Sequence, residues 1–298
     1  MPVVDQDIPL RANAALLPPA DRSRPRGQIL KWVGNKFRYA EVIARHLPCD
    51  LGEYYEPFVG TGAVLATLAP EQAVAGDALP LLIDLLRMVQ SDPSPLISHY
   101  AARREELMAR GREAYDEIKA SYNTCPNPED LLVISRTCYS GVMRFTRDGR
   151  ISTPMGPHRP MPADKLDGYM IEWQERLRGT EFISQGFERT MALAGRGDTI
   201  YCDPPYLHGQ SILYGAQDFQ LEKLWDSVAA AVERGARVAV SADGYRRSGA
   251  KTIDLRLPDG LFARELLIER GGCMLRRFQL TGGLMDFEQV ADRLLLTW

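Results

Sequence analysis

Apolar positions fall into two rhythms along this chain. Short apolar runs alternate with helical-period segments in the first third and again from about residue 180 onward. Asn35–Leu47 reads as a helix, Glu53–Val59 as a strand, and Ala63–Leu68 as the start of a second helix. The run Ala73–Gly76 reads as a strand ending at Asp77. Leu79–Gln90 is helical, and Asp92-Pro93-Ser94-Pro95 ends it. After Lys165–Arg178 (helix) and Glu181–Ser184 (strand), Thr199–Asp203 is the fourth strand. Phe219–Arg234 carries apolar residues at Leu221, Leu224, Trp225 and Val228, a helical spacing. Arg237–Ser241, Phe262–Glu269 and Leu294–Trp298 supply further strands. Alternation of this kind predicts an α/β layered sheet.

The middle breaks the rhythm. Residues from about 95 to 178 show helices at Leu96–Lys119 and Glu129–Cys138, followed by a hairpin signal. Arg144–Arg147 and Arg150–Thr153 flank Asp148-Gly149, a pair suited to a primed two-residue turn. These boundaries predict an irregular arm over 1–27, a sheet domain formed by 28–91 and 180–298, and an inserted, mainly helical unit over 92–179. Residues 207–218, with Gly209 and Gly215 and no clear period, read as a mobile loop.

Candidate chemistry concentrates at Asp203-Pro204-Pro205-Tyr206, directly after the apolar run Thr199-Ile200-Tyr201-Cys202. Open α/β sheets bind ligands outside the carboxyl ends of their strands. A carboxylate and a proline carbonyl there can accept both hydrogens of a planar amine, and a tyrosine ring offers a stacking face. Those groups suit methyl transfer to an exocyclic amino nitrogen. The plainer reading is a Pro-Pro turn with a surface tyrosine.

A partner site would decide between the two, and the residues upstream have its form. Gly60-Thr61-Gly62 joins a strand to a helix and lets backbone approach a ligand closely. Leu65 occupies the third glycine position of the dinucleotide fingerprint. Asp77, at the end of the second strand, stands where a ribose is held, and it also suits a helix N-cap. Leu30-Lys31-Trp32-Val33-Gly34-Asn35-Lys36 places a tryptophan between lysines, as a cleft wall or as a core anchor.

Three motifs in order, Lys31–Lys36, Glu56-Pro57-Phe58-Val59-Gly60-Thr61-Gly62 and Asp203-Pro204-Pro205-Tyr206, resemble the Dam-type (alpha-class) DNA adenine-N6 methyltransferases from about Ile29 to the C-terminus. The resemblance implies a Rossmann-like fold using S-adenosyl-L-methionine. It also implies a target-recognition insertion carrying a β-hairpin ahead of the Asp-Pro-Pro-Tyr strand. By position it implies a cofactor pocket of Trp32, Lys36, Phe58, Gly60, Gly62, Asp77, Phe187 and Asp203. Catalysis would fall to Asp203, Pro204 and Tyr206. Lys31, Arg136, Tyr139, Ser140, Arg144, Arg147 and Arg150 would contact double-stranded DNA, with no metal required. Ser140 and Val142 stand where Dam itself usually has asparagine and leucine. An acidic stretch, Gly282–Glu288, replaces the family's basic one.

Composition adds bounds. The chain has 298 residues, enough for one large domain with an insertion. No apolar run reaches membrane-spanning length and no signal pattern begins the chain, so the expectation is a cytoplasmic protein. The five cysteines lack paired spacing, so neither zinc nor a disulfide framework is expected; Cys202 reads as a buried strand residue. Net charge is −3. Between Arg136 and Lys165, however, arginines and lysine outweigh Asp148 and Asp164, a local patch for a polyanion. Val142, Met143 or Phe145 could wedge between bases to support flipping of the target. Nothing nuclease-like is present, so a restriction endonuclease partner would be a separate chain. A monomer or weak dimer is expected. The rival readings are the same chemistry on cytosine N4 or RNA, a silent DNA-binding protein, and, remotely, a dehydrogenase.

Overall fold

A computed structural model describes residues 22–146, 148–205, 219–246, 256–272 and 289–298. Most of the irregular arm, Arg147, Tyr206, the 207–218 loop and the acidic stretch at 282–288 lie outside the described residues.

Seven strands form one sheet in the order β3-β2-β1-β4-β5-β7-β6. They are β1 (Tyr54–Glu56), β2 (Ala73–Asp77), β3 (Thr180–Ser184), β4 (Thr199–Cys202), β5 (Arg237–Arg246), β6 (Arg264–Gly272) and β7 (Gln289–Leu296). β1 to β5 are parallel, while β7 runs antiparallel between β5 and β6. Both faces are covered, so the central strands are buried and largely apolar; every residue of β4 is buried. The period-2 alternation divides the core. Tyr54, Ala73, Ala75, Tyr201 and Ala239 belong to one cluster, and Tyr55, Val74, Ile200, Cys202 and Val238 to the other.

The flanking helices follow their apolar spacing. They are α1 (Ala40–His46), α2 (Ala63–Leu68), α3 (Pro80–Ser91), α8 (Phe187–Leu193) and α9 (Leu221–Glu233). α9 buries Leu224, Trp225, Val228 and Ala231, one stripe at helical spacing. Pro80 opens α3 at a position where its missing N–H costs nothing. The first helix is shorter than its pattern predicts. Residues 32–39 fold as turns, with the Asn35 side chain accepting the Phe37 N–H at 2.8 Å. Asparagine's side chain offers the backbone an alternative to helix there.

The insertion holds α4 (Ser94–Arg110), α5 (Arg112–Thr124), α6 (Pro128–Thr137) and α7 (Ala163–Arg176). The single helix expected over Leu96–Lys119 is divided at Gly111, whose backbone (φ 58°, ψ −120°) lies outside the helical region. α6 is central, buried from Asp130 to Thr137. Asn127 caps it by accepting the Asp130 N–H at 2.7 Å. The hairpin forms with a different turn from the one predicted. The Thr146 N–H donates to Arg150 O at 2.8 Å, and the Gly149 N–H donates to Thr146 O at 2.9 Å. With Gly149 at φ 78°, this is a three-residue loop closed by a left-handed glycine, in place of the two-residue turn. Asn123 of α5 clamps the returning strand through both the N–H and the C=O of Ile151.

Residues 22–30 are strapped down. Arg22 donates to the carbonyls of Ala44, Leu47 and Pro48, completing the end of α1. The Trp173 indole donates to Gly27 O at 2.8 Å, and Arg136 Nη1 donates to Gln28 O and Ile29 O at 2.7 and 2.9 Å. The end of the presumed irregular arm is thus a packed link between sheet and insertion.

Asp130 ties α4 to α6. It lies 2.7 Å from His99 Nε2 and 3.5 Å from Arg103 Nε, with its side chain 2% exposed. Burial pushes its carboxyl up, but the His99 and Asn127 hydrogen bonds and the Arg103 charge outweigh that and leave it below the ordinary aspartate range. A depressed carboxyl contributes stability that is present above its unfolded pKa and lost as pH falls through its folded one. Asp130→Ala is expected to cost about 3 kcal/mol at neutral pH, and less in acid. Urea unfolding at pH 7 and pH 3.5 measures both; an equal loss at the two pH values contradicts this role.

Candidate active site

Parallel strands place their carboxyl ends on one edge, and the candidate residues gather there. Glu56 ends β1, Asp77 ends β2, and Asp203 follows β4. Between β1 and α2 the chain turns through Gly60 (φ 49°) and Gly62 (φ 73°). A Cβ built on Gly60 meets nothing within 4 Å, so the loop's bare backbone borders open space. That leaves room for a ligand to approach the main chain.

Asp77 organises this loop. Its Oδ2 accepts the Gly60 N–H at 3.1 Å and its Oδ1 accepts the Leu79 N–H at 3.0 Å. The first contact ties Asp77 to the glycine loop and the second closes a turn ahead of α3, whose N-cap is Leu79 rather than Asp77, so the N-cap reading is not met. Burial raises its carboxyl, and the N–H groups of Leu79, Gly60 and Ala78 offset this in part.

Beside the loop is an aromatic wall. The Phe58 and Phe187 rings stack at 5.0 Å and 26°, and Phe219 meets them at 5.9 and 5.8 Å. All three remain half-buried. Phe58 and Phe187 lie 129 positions apart in the sequence, and the fold brings their rings together. Phe219 is a third member that the sequence pattern does not reveal, since its spacing reads only as the start of a helix.

The decisive contact is an ion pair. Lys36 Nζ lies 2.5 Å from Asp203 Oδ1 and also donates to Gly34 O at 3.2 Å. The lysine side chain is 4% exposed and the aspartate 19%. A nearly buried ammonium fixes the carboxylate in place and satisfies its charge. Trp32 packs half-buried on the core, as the anchor reading of this segment expects, three residues after the Arg136-held carbonyl of Ile29. Pro204 is buried, Pro205 half-buried. Cys202 is fully buried, and burial, with Asp203 and Glu56 nearby, pushes its thiol far up, so it is no nucleophile.

Two residues were missed beneath this edge. Glu56, 2% exposed, accepts the Tyr54 hydroxyl at 2.7 Å. Glutamate before Pro57-Phe58 was visible in the sequence, but only the fold reveals that it is interior.

On the insertion, the expected DNA-contacting residues separate into two groups. Tyr139 and Ser140 are exposed in a short 3₁₀ turn, Tyr139–Gly141, and Arg144 and Arg150 are exposed on the hairpin. Lys31 reaches this turn: a Cβ on Gly141 would lie 2.8 Å from Lys31 Cβ. Burial, then the nearby Arg136 charge, lowers the Lys31 ammonium. Arg136 itself requires correction. It is 7% exposed and committed to the carbonyls of Gln28 and Ile29, so it braces the strap and does not face a phosphate. Met143 is also buried, at 1%, which removes it as a wedge, and Phe145 packs against the core.

Residues 32–224 match the family profile described as D12 class N6 adenine-specific DNA methyltransferase. The chain belongs to that family. Among relatives of the D12-class chain, the DNA adenine methylase of Vibrio cholerae (strain O395) is 30% identical over 183 residues, which cover 59% of this chain and 64% of that protein. The Retron Ec67 DNA adenine methylase of Escherichia coli is 33% identical over 186 residues, covering 60% and 63%. The DNA N-6-adenine-methyltransferase of Escherichia phage P1 is 28% identical over 257 residues, covering 81% of this chain and 32% of that one. The D12-class chain thus spans under two thirds of each relative's length. Its Rossmann-like sheet is the scaffold on which these motifs converge.

The turn at Ser140-Gly141 yields a stability prediction. Both residues have positive φ, 58° and 66°. Gly141→Ala adds the Lys31 clash to the left-handed cost, and is expected to lose at least roughly 1–2 kcal/mol. Chemical denaturation checks this; wild-type stability in that variant contradicts the geometry.

Proposed function

We propose that this protein transfers the methyl group of S-adenosylmethionine to adenine N6 in double-stranded DNA, with the target base flipped out of the helix. The observation that carries this reading is the Lys36-paired Asp203 carboxylate, on the same sheet edge as the open Gly60 loop and the Phe58–Phe187 stack.

The residues fit the donor. Backbone at Gly60–Gly62 admits its amino-acid end, Asp77 has lone pairs for ribose hydroxyls, and Phe58 and Phe187 give an apolar face to its adenine ring. When bound, the cofactor supplies an electrophilic sulfonium methyl. The chain's own work is positioning and charge stabilisation. An exocyclic amine is a weak nucleophile because its lone pair is delocalised into the ring. Asp203 Oδ and the Pro204 carbonyl would accept its two hydrogens, favouring a pyramidal nitrogen whose lone pair faces the donor. Those bonds strengthen as the nitrogen gains positive charge, so they favour the transition state over the bound base. Asp203 need not be a strong base, since the proton leaves only after the methyl is gained. Tyr206, next in the motif, would stack on the flipped base.

Lys31, Tyr139, Ser140, Arg144 and Arg150 would form the DNA face, with Arg147 as a further candidate. The exposed hairpin arginines suit phosphate contact, and Tyr139 and Ser140 suit base contact. Val142 remains the half-buried candidate for a wedge.

Asp203→Ala is expected to abolish methyl transfer, by at least about 1,000-fold, while S-adenosylhomocysteine still binds. Tritium transfer to mixed-sequence duplex DNA, read beside calorimetry, measures the two; near-wild-type transfer refutes the assignment. Arg144→Ala together with Arg150→Ala should lower the slope of log affinity against log salt by about 2. An unchanged slope in fluorescence titrations removes the hairpin from the DNA face.

A further inference from the structure

Asp203 has a second carboxyl for a neighbour, and that neighbour is interior. β1 and β4 pair in parallel with Tyr54 beside Thr199 and Tyr55 beside Ile200. Side chains alternate along each strand, so Tyr54 and Glu56 share a sheet face with Thr199, Tyr201 and Asp203. The Tyr54 hydroxyl, wholly buried, donates to Glu56 Oε2 at 2.7 Å. The Leu65 N–H of α2 also points at this carboxyl. Tyr201, on the same face, spends its hydroxyl on Ser241 Oγ at 2.8 Å. Lys36 is committed to Asp203. Glu56 is therefore held by two donors, both within the fold, two positions along β1 from the tyrosine that fixes it.

We propose that the buried Tyr54–Glu56 pair is a positioning device for Asp203, acting through that carboxylate without touching the substrate. The proposal rests on the methyl-transfer reading and names a residue that reading does not use. Electrostatics support it. Burial drives the Glu56 carboxyl up; the Tyr54 hydrogen bond draws it partly back; the Asp203 charge raises it further and the Leu65 N–H lowers it, for a value of about 8. At neutral pH Glu56 is then mostly a neutral acid. Asp203 stays paired with Lys36, and a neutral Glu56 adds no repulsion beside it. Once Glu56 ionises, a second negative charge faces Asp203. Two like charges at one edge separate, and Asp203 leaves the place where it would accept the amine hydrogens.

The groups facing Glu56 give the experiment its signs. Asp203 raises its titration and Tyr54 lowers it. In protein labelled with ¹³C at glutamate carboxyls, one resonance should titrate near pH 8 and be absent from Glu56→Gln. Asp203→Asn should move that midpoint down and Tyr54→Phe should move it up, each by about one pH unit. The wild-type kcat on duplex DNA should break near the same pH, and Glu56→Gln should lack that break. A midpoint in the ordinary glutamate range, or one that Asp203→Asn leaves in place, overturns the proposal, as does the same alkaline break in Glu56→Gln. The titration requires no turnover, so it separates two failures. If it behaves as stated but the wild type transfers no methyl, the methyl-transfer reading falls and takes the positioning role with it. If transfer proceeds and the titration fails, only the Glu56 assignment falls.

Discussion

The Lys36–Asp203 ion pair is the contact on which the rest of this structure turns. It joins two segments 167 positions apart, one ahead of the first helix and one after the fourth strand. A carboxylate at 19% exposure needs a counter-charge, and an ammonium at 4% exposure needs an acceptor, so each dictates the other's place. Removing either would strand a charge near the interior. The pair therefore fixes the distance between the Trp32–Lys36 segment and the Asp-Pro-Pro segment.

The ribbon carrying Lys36 is held from the other side by the insertion. Trp173 and Arg136 grip the carbonyls of Gly27, Gln28 and Ile29, and Lys31 lies against Gly141 in the exposed turn. Six residues, Lys31 to Lys36, thus run from the proposed DNA face to the partner of the proposed acceptor carboxylate. Hydrogen bonds to the insertion hold the chain just ahead of that run, and an ion pair holds its far end. A buried arginine is well suited to such a hold, because its fork can hold two carbonyls at once.

Much of this was legible in the sequence. Apolar runs located the strands because buried parallel strands have few polar positions. The order of the three motifs anticipated one pocket, and Phe58 and Phe187 do meet. What escaped has physical causes. Strand β7 inserts antiparallel between β5 and β6, and short apolar runs carry no sign of direction or neighbour. Arg136 looked like a phosphate ligand because charge in sequence does not reveal depth; its partners are backbone carbonyls, which no side-chain pattern reports. The hairpin signal was right about the turn's place and wrong about its length, since Asp-Gly serves both a two-residue turn and a three-residue loop. Glu56 was in view inside a quoted motif, yet its burial depends on β1 lying at the centre of the sheet.

The central claim is that this site delivers a methyl group to the exocyclic nitrogen of adenine. Mass spectrometry of nucleosides tests it most directly, after duplex DNA is incubated with the protein and trideuteromethyl S-adenosylmethionine. The account predicts that the label appears as N6-methyldeoxyadenosine. Label on cytosine N4, or no labelled nucleoside under conditions where S-adenosylhomocysteine binds, would contradict it.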